Sequence, residues 1–152
     1  MEDSMKDLII RECTHEDLDR IIFLQQQWCN ADITYGFIPA DKKYIEEKLG
    51  KYFFVAELND EIVGFVYGTV HKAENMSVID CGQLYIEIDD IYTSTNNRGL
   101  GIGSILLEKI LEVAKKNGIE RSLIYSSTKD IDSIINFYKK HDYKTWYVKM
   151  FR

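Results

Sequence analysis

Three alternating glycines, Gly99, Gly101 and Gly103, stand beside Arg98 and Ser104 where a strand pattern gives way to a helix pattern. Glycine lets the backbone take unusual φ values and approach a ligand closely. The first turn of a helix presents unpaired N–H groups, with about half a positive charge from the aligned peptide dipoles. Arg98 adds a permanent cation with several donors, suited to phosphate. Together these residues make a phosphate cradle. A P-loop would need Gly-Lys-Ser/Thr, and Gly103-Ser104 has no lysine. A dinucleotide fingerprint would need G-x-G-x-x-G in an opening βαβ unit, whereas here G-x-G-x-G follows several strands. The bland alternative is a turn that only ends a strand. The strongly amphipathic helix after it, together with Arg98, favours the cradle.

A second group of chemically able residues lies upstream. Glu87, Asp89 and Asp90 interrupt an otherwise apolar strand pattern. A buried charge is costly unless paired, so each carboxylate either faces solvent or belongs to a site. Alternation places Glu87 and Asp89 on one face and Asp90 on the other.

The elements that must position these residues follow from periodicity. Residues 8–13, 52–58, 62–70, 83–93, 121–127 and 143–151 read as strands; a helix follows Thr14, and 41–49, 101–117 and 130–140 also read as helices. Thr14 suits an N-cap, with Asp17 three residues on. Leu18, Ile21, Ile22, Gln25 and Trp28 share one face of the first long helix. Residues 59–61 form a hairpin turn and 30–39 an irregular stretch containing Tyr35 and Phe37. Gly118 terminates the helix that begins at the glycine turn. On the last helix Ile131, Ile134, Ile135 and Tyr138 form the apolar stripe. The fold class is an α/β (α+β) sandwich, with a mixed, largely antiparallel sheet flanked by helices on both faces.

The strand end followed by Arg98-x-x-Gly101-x-Gly103 resembles the acetyl-CoA signature of the GNAT superfamily, [Q/R]-x-x-G-x-[G/A]; Asn96-x-x-Gly99-x-Gly101 is a second register. Phe137-Tyr138-Lys139-Lys140-His141-Asp142-Tyr143 resembles the family's "FYxxxGF" element, with Asp142 in the glycine's place. The asparagine usual before that helix is absent. The resemblance covers nearly the whole chain. It implies that amides of Arg98, Gly99, Leu100, Gly101, Ile102, Gly103 and Ser104 hold a CoA pyrophosphate. It also implies that the backbone of Ile91, Tyr92 and Thr93 pairs with the pantetheine arm. Carried over, Tyr138 protonates the departing thiolate, because a phenol with a pKa near 10 keeps its proton at neutral pH. Tyr138 also suits a core aromatic. Some family members use a glutamate four residues before the strand-end triplet as base for the acceptor amine; here that is Glu87, with Asp89 second. A solvated strand face explains the same carboxylates.

The implied function is direct transfer of an acetyl group from acetyl-CoA, as co-substrate, to a small-molecule or peptide amine in a ternary complex. The alternative is a non-catalytic CoA-binding module of the same fold. The 152 residues favour a single domain, 1–152. A net charge of −6 argues against a nucleic-acid partner and suits a cationic substrate. Cys13, Cys29 and Cys81 have no paired spacing, so zinc sites and disulfides are not expected and a reducing, cytoplasmic setting fits. The acidic start lacks an apolar core, which argues against a signal peptide, and no apolar run is long enough to span a membrane. No metal-ligand spacing occurs. His15 and His141 read as surface helix residues and His71 as isolated. The family resemblance implies a homodimer as a common assembly.

Overall fold

The computed structural model describes residues 6–152; the acidic start, residues 1–5, lies outside them. The strands are β1 (Leu8–Glu12), β2 (Phe53–Leu58), β3 (Glu61–Lys72), β4 (Leu84–Thr93) and β5 (Arg121–Ile124). The helices are α1 (Leu18–Ala31), α2 (Lys42–Glu47), α3 (Ile102–Lys116) and α4 (Ile131–Lys139). The strands form one sheet in the order β1-β2-β3-β4-β5, antiparallel except for the parallel β4–β5 pair.

Local chemistry explains the boundaries. Thr14 and Asp17 close the expected cap, with Thr14 N–H donating to Asp17 Oδ2 at 2.8 Å. Arg11 grips the same carboxylate with two bonds, at 2.7 and 3.0 Å, and holds it below the usual carboxylate range. Asn59 and Asp60 both have positive φ, the geometry of a two-residue turn whose twist matches its strands. Gly118 stops α3 with φ +80°, and the next amide bonds back to Ala114 O at 2.9 Å. Asp142 takes φ +66° in place of the motif glycine.

Two cores sit on opposite faces of the sheet. Leu106, Leu107 and Ile110 of α3 pack with Val66, Ile86, Ile88 and Tyr138 on one face. Leu18, Ile21 and Leu24 of α1 pack with Phe53, Phe65, Tyr67 and Tyr92 on the other. Burying each such side chain stabilises by roughly 1.5–3 kcal/mol before chain entropy is charged against it.

Two expectations about strands are corrected. Residues 143–151 form no strand, and Tyr147, Val148, Met150 and Phe151 are exposed. The β5 edge that would pair with them has only four residues, too few ladder bonds to offset ordering that segment. Alternation along β4 also breaks. Ile88 faces Gly68 and Asp90 faces Tyr67, so Asp89 is an extra residue bulged out of the ladder. A side chain at Gly68 would meet Glu87 O at 2.6 Å, so only glycine lets β4 approach this closely beside the bulge. The bulge rotates Asp90 onto the same face as Glu87 and Asp89, against the simple period of two.

Candidate active site

The ladder between β4 and β5 ends at Ile88 and Ile124. Past that point the chain after β5 bends toward Thr34, which bridges to Thr128, and Tyr35 N–H donates to Ser127 O at 2.9 Å. The two strands splay apart. On its other edge β4 stays paired to β3 as far as Thr93. Among the described residues, no strand pairs with the β5-side edge of β4 from Asp89 to Thr93. Ile91, Tyr92 and Thr93 therefore present open backbone to a cleft, which they line together with Tyr138.

At the end of that edge lies the glycine turn. Gly99 and Gly101 have φ +79° and +81°, values that disfavour any residue with a Cβ. Gly101 is the N-cap of α3 and supplies no side-chain acceptor. By contrast, Asp41 and Asp130 cap α2 and α4. The first-turn amides of Ile102, Gly103 and Ser104 are thus left without the acceptor those helices carry. Arg98 lies exposed, its Nε donating to Thr93 O at 3.1 Å and its guanidinium 5.3 Å from the Tyr92 ring. Leu100 packs on the α3-side core and Ile102 is buried in it. This donor set fits a diphosphate: bare amides, a helix N-terminus and one exposed cation.

Tyr138 is 8% exposed, its ring edge-on to Phe137 and Tyr143. Burial pushes its phenol well above the usual range. His141 is no surface residue: its side chain is 8% exposed. Its ring joins Ser104 Oγ at 3.0 Å and Glu108 Oε1 at 2.5 Å, tying the end of α4 to the first turns of α3.

On the other face of the sheet, Trp28 is sandwiched between Phe37 at 4.2 Å and Tyr92 at 5.1 Å, and all three line the cleft. Tyr35 lines it too, edge-on to Phe151. Asp89 and Asp90 face the cleft, whereas Glu87 does not line it. Glu87 sits 3.4 Å from His71, which stacks on Tyr85 and so is not isolated. Burial, then the neighbouring Asp89, raises the Glu87 carboxyl. Asp89 accepts from Thr69 Oγ1 at 2.6 Å and lies 3.4 Å from Lys48 Nζ. Asp90 accepts from the Tyr67 hydroxyl and from Gln25 Nε2. Burial pushes Asp90 up to about 6. Tyr67, Gln25 and His141 join the site without having been singled out for it. The signal for Gln25 was a polar residue inside an apolar helix stripe.

Residues 5–143 match the Acetyltransferase (GNAT) family. The chain belongs to this family. A relative in Methanocaldococcus jannaschii, an uncharacterized N-acetyltransferase, is 28% identical over 90% of this chain. The alignment spans 60% of that relative's length. Among solved structures, an aminoglycoside acetyltransferase from an uncultured soil metagenomic sample, in complex with sisomicin, is similar with a TM-score of 0.71. It is 21% identical, and the match covers 97% of this chain and 96% of that one. A predicted acetyltransferase with acetyl-CoA from Clostridium acetobutylicum has a TM-score of 0.70 at 18% identity, covering 94% and 95%. These likenesses agree with the mixed sheet flanked by helices. Among the described residues, no group of three or more His, Cys, Asp or Glu is arranged to hold a metal ion, and no helix is long and apolar enough to cross a membrane.

Proposed function

We propose that this protein transfers the acetyl group of acetyl-CoA to a primary amine by direct attack in a ternary complex. The observation that carries this reading is the open β4 edge from Asp89 to Thr93 running straight into the uncapped N-terminus of α3. An extended arm with amides pairs along such an edge as an added strand would, and a diphosphate terminates it at the helix. The acetyl-CoA held by the Clostridium acetobutylicum relative supports the choice of ligand.

Placement around the cleft supports the residue roles in this reading. Amides of Arg98, Gly99, Leu100, Gly101, Ile102, Gly103 and Ser104 hold the pyrophosphate. Ile91, Tyr92 and Thr93 align the arm, and an amide of β4 polarises the acyl carbonyl. Acetyl-CoA supplies an acyl carbon open to attack and a thiolate leaving group. Glu87, set back from the cleft wall, accepts the amine's proton through water, and its raised carboxyl suits that task. Tyr138 gives its proton to the sulfur. The same burial that raises the phenol denies the thiolate its solvation, so both anions are disfavoured and the proton can cross. A small cationic acceptor fits the carboxylate-lined side of the cleft, and the sisomicin bound by the soil relative is a cationic amine of that kind.

Calorimetry with acetyl-CoA, followed by thiol release against an amine panel, tests the reading. Binding without release for every amine would favour the non-catalytic module. Tyr138→Phe is expected to lower kcat by about 10²–10⁴-fold with acetyl-CoA affinity nearly unchanged. An unaltered kcat removes Tyr138 from the chemistry.

A further inference from the structure

We propose that Asp90 is the anchor for the acceptor's ammonium group, its carboxylate aimed into the cleft by Tyr67 and Gln25. This rests on the acetyl-transfer reading and names the contact that selects the acceptor within it.

The three carboxylates of β4 differ in how their charge is met. Asp89 has the Lys48 ammonium at 3.4 Å, and Glu87 has the His71 ring, a cation only when protonated, at 3.4 Å. Asp90 has no cation within ion-pair distance among the described residues. Its two partners are the Tyr67 hydroxyl and the Gln25 amide, both neutral and both on Oδ2. No described hydrogen bond uses Oδ1. A half-buried carboxylate with neutral donors alone is an unpaired charge, a costly arrangement in a folded chain.

That arrangement is held in place. Gln25 is fully buried, and its Oε1 accepts from Ala40 N–H at 2.7 Å, which turns Nε2 toward Asp90. Tyr67 is 1% exposed and packed between Phe53 and Phe65. The bulge at Asp89 sets Asp90 on this face, next in the chain to Ile91. In the proposed complex Ile91 lies along the thioester arm. An ammonium on Oδ1 would complete the charge pair and hold its nitrogen beside the acyl carbon. Trp28, Phe37 and Tyr92 wall the same cleft and offer ring faces to a cation. Asp90 forms no bond in the reaction; the proton leaves through water to Glu87, as above.

The test uses butylamine as the cationic probe and 1-butanol as its neutral counterpart. Asp90→Asn should bind acetyl-CoA like the parent, raise KM for butylamine by about 10–100-fold and change kcat far less. Independently, the Asp90 carboxyl carbon resonance of the unaltered protein should shift on titration with butylamine and stay still with 1-butanol. That titration is run with and without acetyl-CoA. A parental KM in Asp90→Asn overturns the proposal. So does a resonance silent to butylamine or equally moved by butanol, which also decides the matter should the variant not fold. Loss of acetyl-CoA affinity in the unaltered protein would instead sink the transfer reading.

Discussion

At the scale of single residues, the site places charge where it is expensive. Asp90 is raised from its ordinary value near 3.8 to about 6, mainly by burial, against hydrogen bonding from Tyr67 and the nearby Lys48, with Asp89 adding repulsion. The folded state therefore binds this proton more tightly than the unfolded chain does. Below about pH 4 both states are protonated and nothing is lost. Between about 4 and 6 the unfolded chain ionises first, so stability falls; above 6 the full penalty applies. Asp90→Asn carries no such penalty. It should unfold at a higher temperature than the parent at pH 7 and show no such gain at pH 3.5. Thermal unfolding at the two pH values checks this; an equal difference at both would mean that Asp90 is not raised by its surroundings. A carboxylate retained at a cost in stability suits a task in binding.

At the scale of elements, the uncapped N-terminus of α3 is the proposed diphosphate end of the site, and His141 is tied to its first turns. Its ring spans Ser104 and Glu108, one turn apart on α3, from the end of α4. His141→Ala removes both contacts and leaves a gap beside Phe137, whose ring lies 5.1 Å away. Such a loss is expected to destabilise the fold by about 1–2 kcal/mol. Because Ser104 sits in the proposed pyrophosphate cradle, acetyl-CoA affinity should weaken as well, measurably by calorimetry on folded material. Destabilisation with unchanged affinity would make His141 a structural tie only.

At the scale of the molecule, one ligand should couple the two halves of the sheet. The cleft where β4 and β5 part is lined from opposite faces of the sheet, by Tyr138 from the α3–α4 side and by Asp89 and Asp90 from the α1–α2 side, and the proposed cofactor arm would lie between them. A ligand that binds only the folded chain stabilises it by about 2.7 kcal/mol at 100 times its Kd. For a chain of this size that is about 5–10 °C in Tm. Acetyl-CoA should produce such a shift, whereas ATP and NAD at the same concentration should not. Equal shifts from all three would point to a generic phosphate site.

The sequence by itself determined the element order as far as the last helix, the caps at Thr14 and Gly118, and the glycine turn. Each is a local matter of periodicity, side-chain capping or positive φ. It also marked Tyr138 and the β4 carboxylates as candidates. Only the tertiary structure decided how those carboxylates divide. The bulge at Asp89 arises from pairing with β3 and from the space beside Gly68, and no period along β4 alone contains it. The burial of His141 depends on where α3 and α4 meet, and the missing last strand on how short β5 is. Contacts between residues far apart in the chain settled each of these, since burial and register are properties of the packed whole.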